Sequence, residues 1–131
     1  MIALDANLLI RLIVEDDFKQ AEAAESLLKN AGDVFFIPDL VLAELVWVLE
    51  RRYAFSKPEV EQVLSELLGR RDVVFEDESR VRAAVRAYGG GLDLADGLIV
   101  ETAREIGCRS LASFDDVLVS KYPSFVLRPE S

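Results

Sequence analysis

The sequence predicts an α/β fold, a central parallel sheet of about four to five strands flanked by helices. Three observations carry this. Short apolar runs alternate along the chain with longer stretches of helical periodicity. Cap and turn residues punctuate the alternation, and no repeat, linker or low-complexity tract interrupts it. A length of 131 residues suits one domain, residues 1–131, able to bury a core without disulfides.

The elements follow in order. Residues 1–4 read as a strand and 7–14 as a short helix. Residues 17–30 form an amphipathic helix with Ala21, Ala24, Leu27 and Leu28 on one face, stopped near Gly32. The run Val-Phe-Phe-Ile at 34–37 is the second strand. Pro38 is placed to open a long helix reaching about Tyr53. Ser56 and Glu59 have the spacing of a capping box, with Pro58 between them, and start a helix to about Leu68. Residues 72–75 give a third strand and 77–88 a helix, which the Gly89-Gly90-Gly91 break closes. A helix from Asp93 to Gly107 precedes a fourth strand at 109–113 and a fifth at 124–127. In parallel sheets of this kind, ligands bind beyond the carboxyl ends of the strands.

Composition removes several kinds of chemistry. The chain has no histidine, which excludes a Ser-His-Asp or Cys-His nucleophile, a His general base and His-ligated zinc. Its one cysteine, Cys108, cannot form an internal disulfide. No apolar run spans a membrane, because Arg11 and Glu15-Asp16-Asp17 end the first one early. No secretory signal pattern opens the chain, so a cytoplasmic location and no membrane partner are expected. The net charge of -9 rules out nonspecific nucleic-acid binding through a basic surface. Any nucleic acid would have to be met by metal ions and a local cationic patch. Arg11, Arg51, Arg52, Lys57, Arg70 and Arg71 are the candidates for phosphate contact, against the plainer reading of solvated charges.

Acidic residues stand out by position. Glu44 is the only polar residue in the stretch 40–49, Leu-Val-Leu-Ala-Glu-Leu-Val-Trp-Val-Leu. A helix apolar all round is expected to be buried, where a carboxylate needs a metal or a partner. The alternative is a Glu that reaches a solvent edge or pairs with Arg51 or Arg52. Asp5 follows the first strand directly and could equally be a helix cap. Asn7 could cap as well, or orient Asp5. Asp93 and Asp96 lie three apart at a helix start, on one face, where the helix dipole also favours acids. Asp115 follows the fourth strand, with Ser113 as a hydrogen-bond partner for a carboxylate or a metal-bound water and Asp116 facing solvent or capping the next segment. Clustered carboxylates repel unless a cation sits among them. Oxygen ligands without His or Cys select hard ions, Mg²⁺ or Mn²⁺, which suit phosphoryl chemistry.

Four segments in order resemble the motifs of the PIN-domain family: Leu4-Asp5-Ala6-Asn7, Ala43-Glu44-Leu45, Asp93-Leu94-Ala95-Asp96-Gly97 and Ser113-Phe114-Asp115. The resemblance covers nearly the whole chain and implies a metal-dependent ribonuclease that hydrolyses RNA phosphodiester bonds. It implies Asp5, Glu44 and Asp96 as core metal ligands and catalytic acids, Asp115 as a fourth, and Asp93 as an accessory. Asn7 and Ser113 would support them from behind. Ala6 stands where many members have Thr or Ser, which removes one supporting contact and no ligand. A chain of this length is similar to VapC-type toxins, which implies a homodimer and a small antitoxin covering the active site.

Two other classes compete. One is a Mg²⁺-dependent phosphotransferase or phosphatase with Asp5 as nucleophile, although such enzymes commonly want a second Asp where this chain has Asn7. The other is a non-enzymatic, receiver-like signalling or interaction module. It would need a Lys near the last strands, and Lys121 is the only one in that third of the chain.

Overall fold

A computed structural model describes residues 1–130 of the chain. They form two compact units, Met1–Glu78 and the residues from Ser79 onward.

The first unit carries a three-stranded parallel sheet in the order β1 (Ile2–Ala3), β2 (Phe35–Ile37), β3 (Val73–Phe75). Ile2 pairs with Phe35, and Phe36 with Val74, and the Leu4 N–H donates to the Phe36 carbonyl at 2.9 Å to extend the ladder. The strand β2 is central, and its Phe35 and Ile37 side chains are wholly buried. Helices α1 (Ala6–Ile13) and α2 (Phe18–Asn30) link β1 to β2, and α3 (Asp39–Arg52) and α4 (Lys57–Gly69) link β2 to β3. Asp17 caps α2 by accepting from the Gln20 N–H at 3.0 Å. The capping box of α4 is complete: Ser56 Oγ accepts from the Glu59 N–H, and Glu59 Oε1 accepts from the Ser56 N–H at 2.8 Å. Pro38 occupies the position before the first turn of α3.

The second unit holds α5 (Glu78–Gly89) from its second residue, α6 (Leu94–Ile106), β4 (Leu111–Ala112), α7 (Asp116–Lys121) and β5 (Val126–Leu127). Strands β4 and β5 pair in parallel, Leu111 with Val126. Leu92, Val100, Leu118 and Val126 form the core here, with Leu111, Tyr122 and Phe125 packed against it. Helix α6 ends at Gly107, whose φ of 90° is open to glycine and strained for other residues.

The α/β class and the parallel pairing agree with the sequence. One sheet of four to five strands does not: among the described residues the strands divide into a three-stranded and a two-stranded sheet. The strands themselves fall where apolar runs place them. Periodicity identifies a strand, but pairing depends on which backbone edge the fold presents to it.

Candidate metal and active site

Each acid is held by a local backbone device. Asp5 is the N-cap of α1, and its Oδ1 accepts from the Leu8 N–H at 2.9 Å. Asp115 is the N-cap of α7, and its Oδ1 accepts from both Val117 N–H at 2.8 Å and Leu118 N–H at 3.2 Å. In both cases the capping bonds use one carboxylate oxygen. A carboxylate has about four lone-pair sites on two oxygens, so Oδ2 stays available to a cation. Capping and metal binding are therefore compatible at these positions rather than alternatives.

Asp93 also stands at an N-cap, that of α6, yet its side chain makes no capping bond. Asp96 lies in the first turn of the same helix and is half-buried. Burial pushes its pKa up, and the charges of Asp93 and Asp115 push it further in the same direction. The helix N-terminus favours an anion, but burial and like charge outweigh it here. Asp93 and Asp115 thus each lie within electrostatic reach of Asp96.

Glu44 differs from expectation. The stretch around it is not buried on all sides. Leu42, Leu45, Val46, Val48 and Leu49 are buried, whereas Glu44 is exposed. It shares the outer face of α3 with Leu40, 79% exposed, and Trp47, 56% exposed. The solvent-edge alternative therefore describes its environment, and the argument from a buried charge falls away. No described ion pair joins Glu44 to Arg51 or Arg52. Both acids of the first unit follow the carboxyl ends of adjacent parallel strands: Asp5 comes two residues after β1, and Glu44 lies on the helix that leaves β2.

The supporting residues take other roles as well. Asn7 lies in the first turn of α1, exposed, and the cap is made by Asp5 instead. Ser113 Oγ accepts from the Asp115 backbone N–H at 3.0 Å, so it shapes the turn rather than bonding the carboxylate. Asp116 is the first residue of α7 and pairs with Arg128 at 2.5 Å, leaving the cap to Asp115. Among the cations named for phosphate contact, Arg11 is tied to Asp16 at 2.5 Å and to Gln20 at 2.8 Å, and Arg70 to Asp72 at 2.7 Å. Arg51, Arg52 and Arg71 remain exposed. One residue with no signal from periodicity is conspicuous: Phe114, 69% exposed, directly before Asp115. An aromatic immediately ahead of an acid at a strand end was the clue available.

Among the described residues, no three Asp, Glu, His or Cys side chains form a ready metal-binding group. The donor chemistry nonetheless fits a hard divalent ion, since all the candidates are carboxylates and Asp96 is raised by burial and by like charge. No helix among the described residues is long and apolar enough to cross a membrane. Comparison with curated proteins finds no match. The family model for the PIN domain matches residues 2–122, a span that takes in all five acids, and the chain belongs to the PIN-domain family.

Proposed function

We propose that this PIN domain is a Mg²⁺- or Mn²⁺-dependent endoribonuclease and the toxin of a toxin–antitoxin pair. PIN domains are generally nucleases that use divalent metals, and this chain shares the family's match over residues 2–122. The observation that carries the reading is Asp96, half-buried and raised in pKa by its own desolvation and by Asp93 and Asp115. Held apart from a cation, such a group destabilises the fold; a divalent ion removes that penalty.

By motif, Asp5, Glu44, Asp96 and Asp115 would be metal ligands, with Asp93 as an accessory. When bound, the ion supplies charge neutralisation at the phosphate and a water of lowered pKa. The chain's own residues orient the ligands. The N–H groups of Leu8, Val117 and Leu118 fix Asp5 and Asp115 through Oδ1. Ser113 holds the turn ahead of Asp115. No His is needed to move a proton.

A homodimer and a small antitoxin complete the reading. Exposed Leu40 and Trp47 flank Glu44, and an antitoxin laid over that face would remove apolar surface from water while covering an active-site acid. The test is incubation with a structured RNA and with a matching DNA, with Mg²⁺, with Mn²⁺ and with EDTA, followed by sequencing of the fragment ends. RNA cleavage is expected with either metal and should cease in EDTA. Undiminished cleavage in EDTA overturns the mechanism, and equal cleavage of DNA overturns the RNA assignment.

A further inference from the structure

Phe114 sits at the carboxyl end of β4, between Ser113 and the capping acid Asp115. Its ring contributes to no described core cluster and is 69% exposed. Instead the ring is backed by a cation. The Arg128 guanidinium lies 5.9 Å from the ring centroid, within cation–π range. Two hydrogen bonds from the same nitrogen hold it there, to the Phe114 carbonyl at 2.8 Å and to Asp116 Oδ1 at 2.5 Å. A guanidinium tied to the backbone of the residue whose ring it faces restrains that ring's orientation. Arg128 and Asp116 thus orient a largely exposed aromatic, one residue from a proposed metal ligand.

We propose that Phe114, steadied by Arg128, is a stacking platform for one base of single-stranded RNA next to the phosphate that is cut. This rests on the ribonuclease reading above and names how that site grips its substrate. Unpaired bases stack on aromatic rings and guanidinium planes, and every base offers a π-face. Stacking also answers the problem set by a net charge of -9. Such a chain draws little affinity from phosphate neutralisation. Arg128 is itself neutralised by Asp116, so its part is geometric rather than one of long-range attraction. A platform of this kind is tolerant of base identity and selects unpaired over paired RNA.

The experiment uses a six-nucleotide RNA carrying 2-aminopurine and phosphorothioate linkages, in Mg²⁺. Fluorescence reports stacking, and cleavage of ordinary single-stranded RNA is followed in parallel. For the intact protein we expect fluorescence quenching on binding. Phe114→Ala should bind about tenfold or more weakly and lose the quench, while Phe114→Trp keeps both. On cleavage, Phe114→Ala should raise KM far more than it lowers kcat. Because the side chain is exposed, its thermal unfolding should stay close to that of the intact protein. Equal binding and quenching by Phe114→Ala overturns the platform, as does an intact protein that shows no quench. A Phe114→Ala protein that changes only its mass in light scattering assigns the ring to contact with a second copy and also overturns it. Quenching that depends on Phe114, without metal-dependent cleavage, leaves the platform standing and removes the nuclease reading.

Discussion

Gly97 follows Asp96 in α6 and is buried. A Cβ at this position would stand 3.2 Å from both Cα and Cβ of Ala84 and 3.4 Å from its carbonyl oxygen. Carbon atoms prefer to be roughly 3.5–4.0 Å apart, so the two helices must part by a few tenths of an ångström. The obstacle is mainly the backbone and Cβ of α5, which has no rotamer to change. Two effects then oppose. Alanine in a helix interior is better than glycine by about 1 kcal/mol. Crowding a packed interface costs about 1–3 kcal/mol. Crowding wins, and Gly97→Ala is expected to lose about 1 kcal/mol, with the melting temperature falling by about 3–5 °C. Gly69 is the matched control. It ends α4, lacks the positive φ of Gly32, Gly91 and Gly107, and has nothing within 4 Å of an ideal Cβ. Gly69→Ala should therefore gain about 0.4–1 kcal/mol. Urea denaturation of both variants against the parent measures the contrast. Because the same shift carries Asp96, cleavage should fall in Gly97→Ala and hold in Gly69→Ala. If Gly97→Ala stabilises the protein as much as Gly69→Ala does, the close approach to Ala84 does not govern this interface.

Asp96 is raised by burial and then by Asp93 and Asp115, so the unfolded chain gives up this proton at lower pH than the folded one. Its contribution to stability is complete below the ordinary carboxylate pKa and is lost as pH rises through the raised value. In EDTA, Asp96→Asn should be more stable than the parent at neutral pH, with the gap closing toward about pH 4; urea titrations that find the parent more stable at neutral pH would contradict this. Glu44→Gln should abolish cleavage while changing stability by less than about 0.5 kcal/mol, because the side chain is exposed. Thermal melting beside an RNA cleavage assay checks both halves, and a loss of about 1–3 kcal/mol would point to an ion pair instead.

Local chemistry was legible in the sequence. The box of Ser56 and Glu59 is made entirely by neighbours three apart, and the stop at Gly107 needs only a residue that tolerates positive φ. Asp5, Asp93 and Asp115 were legible as helix caps, each beside a helix start that periodicity also marks, whereas Glu44 lies inside α3. What could not be read was where each face points. Helix α3 looks uniformly apolar from 40 to 49, yet Leu40 and Trp47 are exposed with Glu44 between them. Hydropathy records a preference for leaving water and does not say whether the cover comes from the same chain. The division of β4 and β5 from the three-stranded sheet was hidden for a related reason. Strand pairing is decided by long-range placement, whereas each two-residue strand is recognised locally.

Asp5 and Asp115 each commit Oδ1 to a helix cap, and in the proposed metal-binding role each would offer Oδ2, which governs how that role can be tested. Asparagine caps a helix about as well as aspartate, whereas alanine forfeits roughly 1 kcal/mol. An Asn at either position therefore silences charge while the helix start survives, and an Ala erases both at once. Alanine scanning at these positions would confuse a weakened scaffold with a disarmed one. The same bonds hold these two carboxylates in place independently of any ion. With or without an ion, α1 and α7 keep their caps, so each carboxylate keeps its place at the start of its own helix.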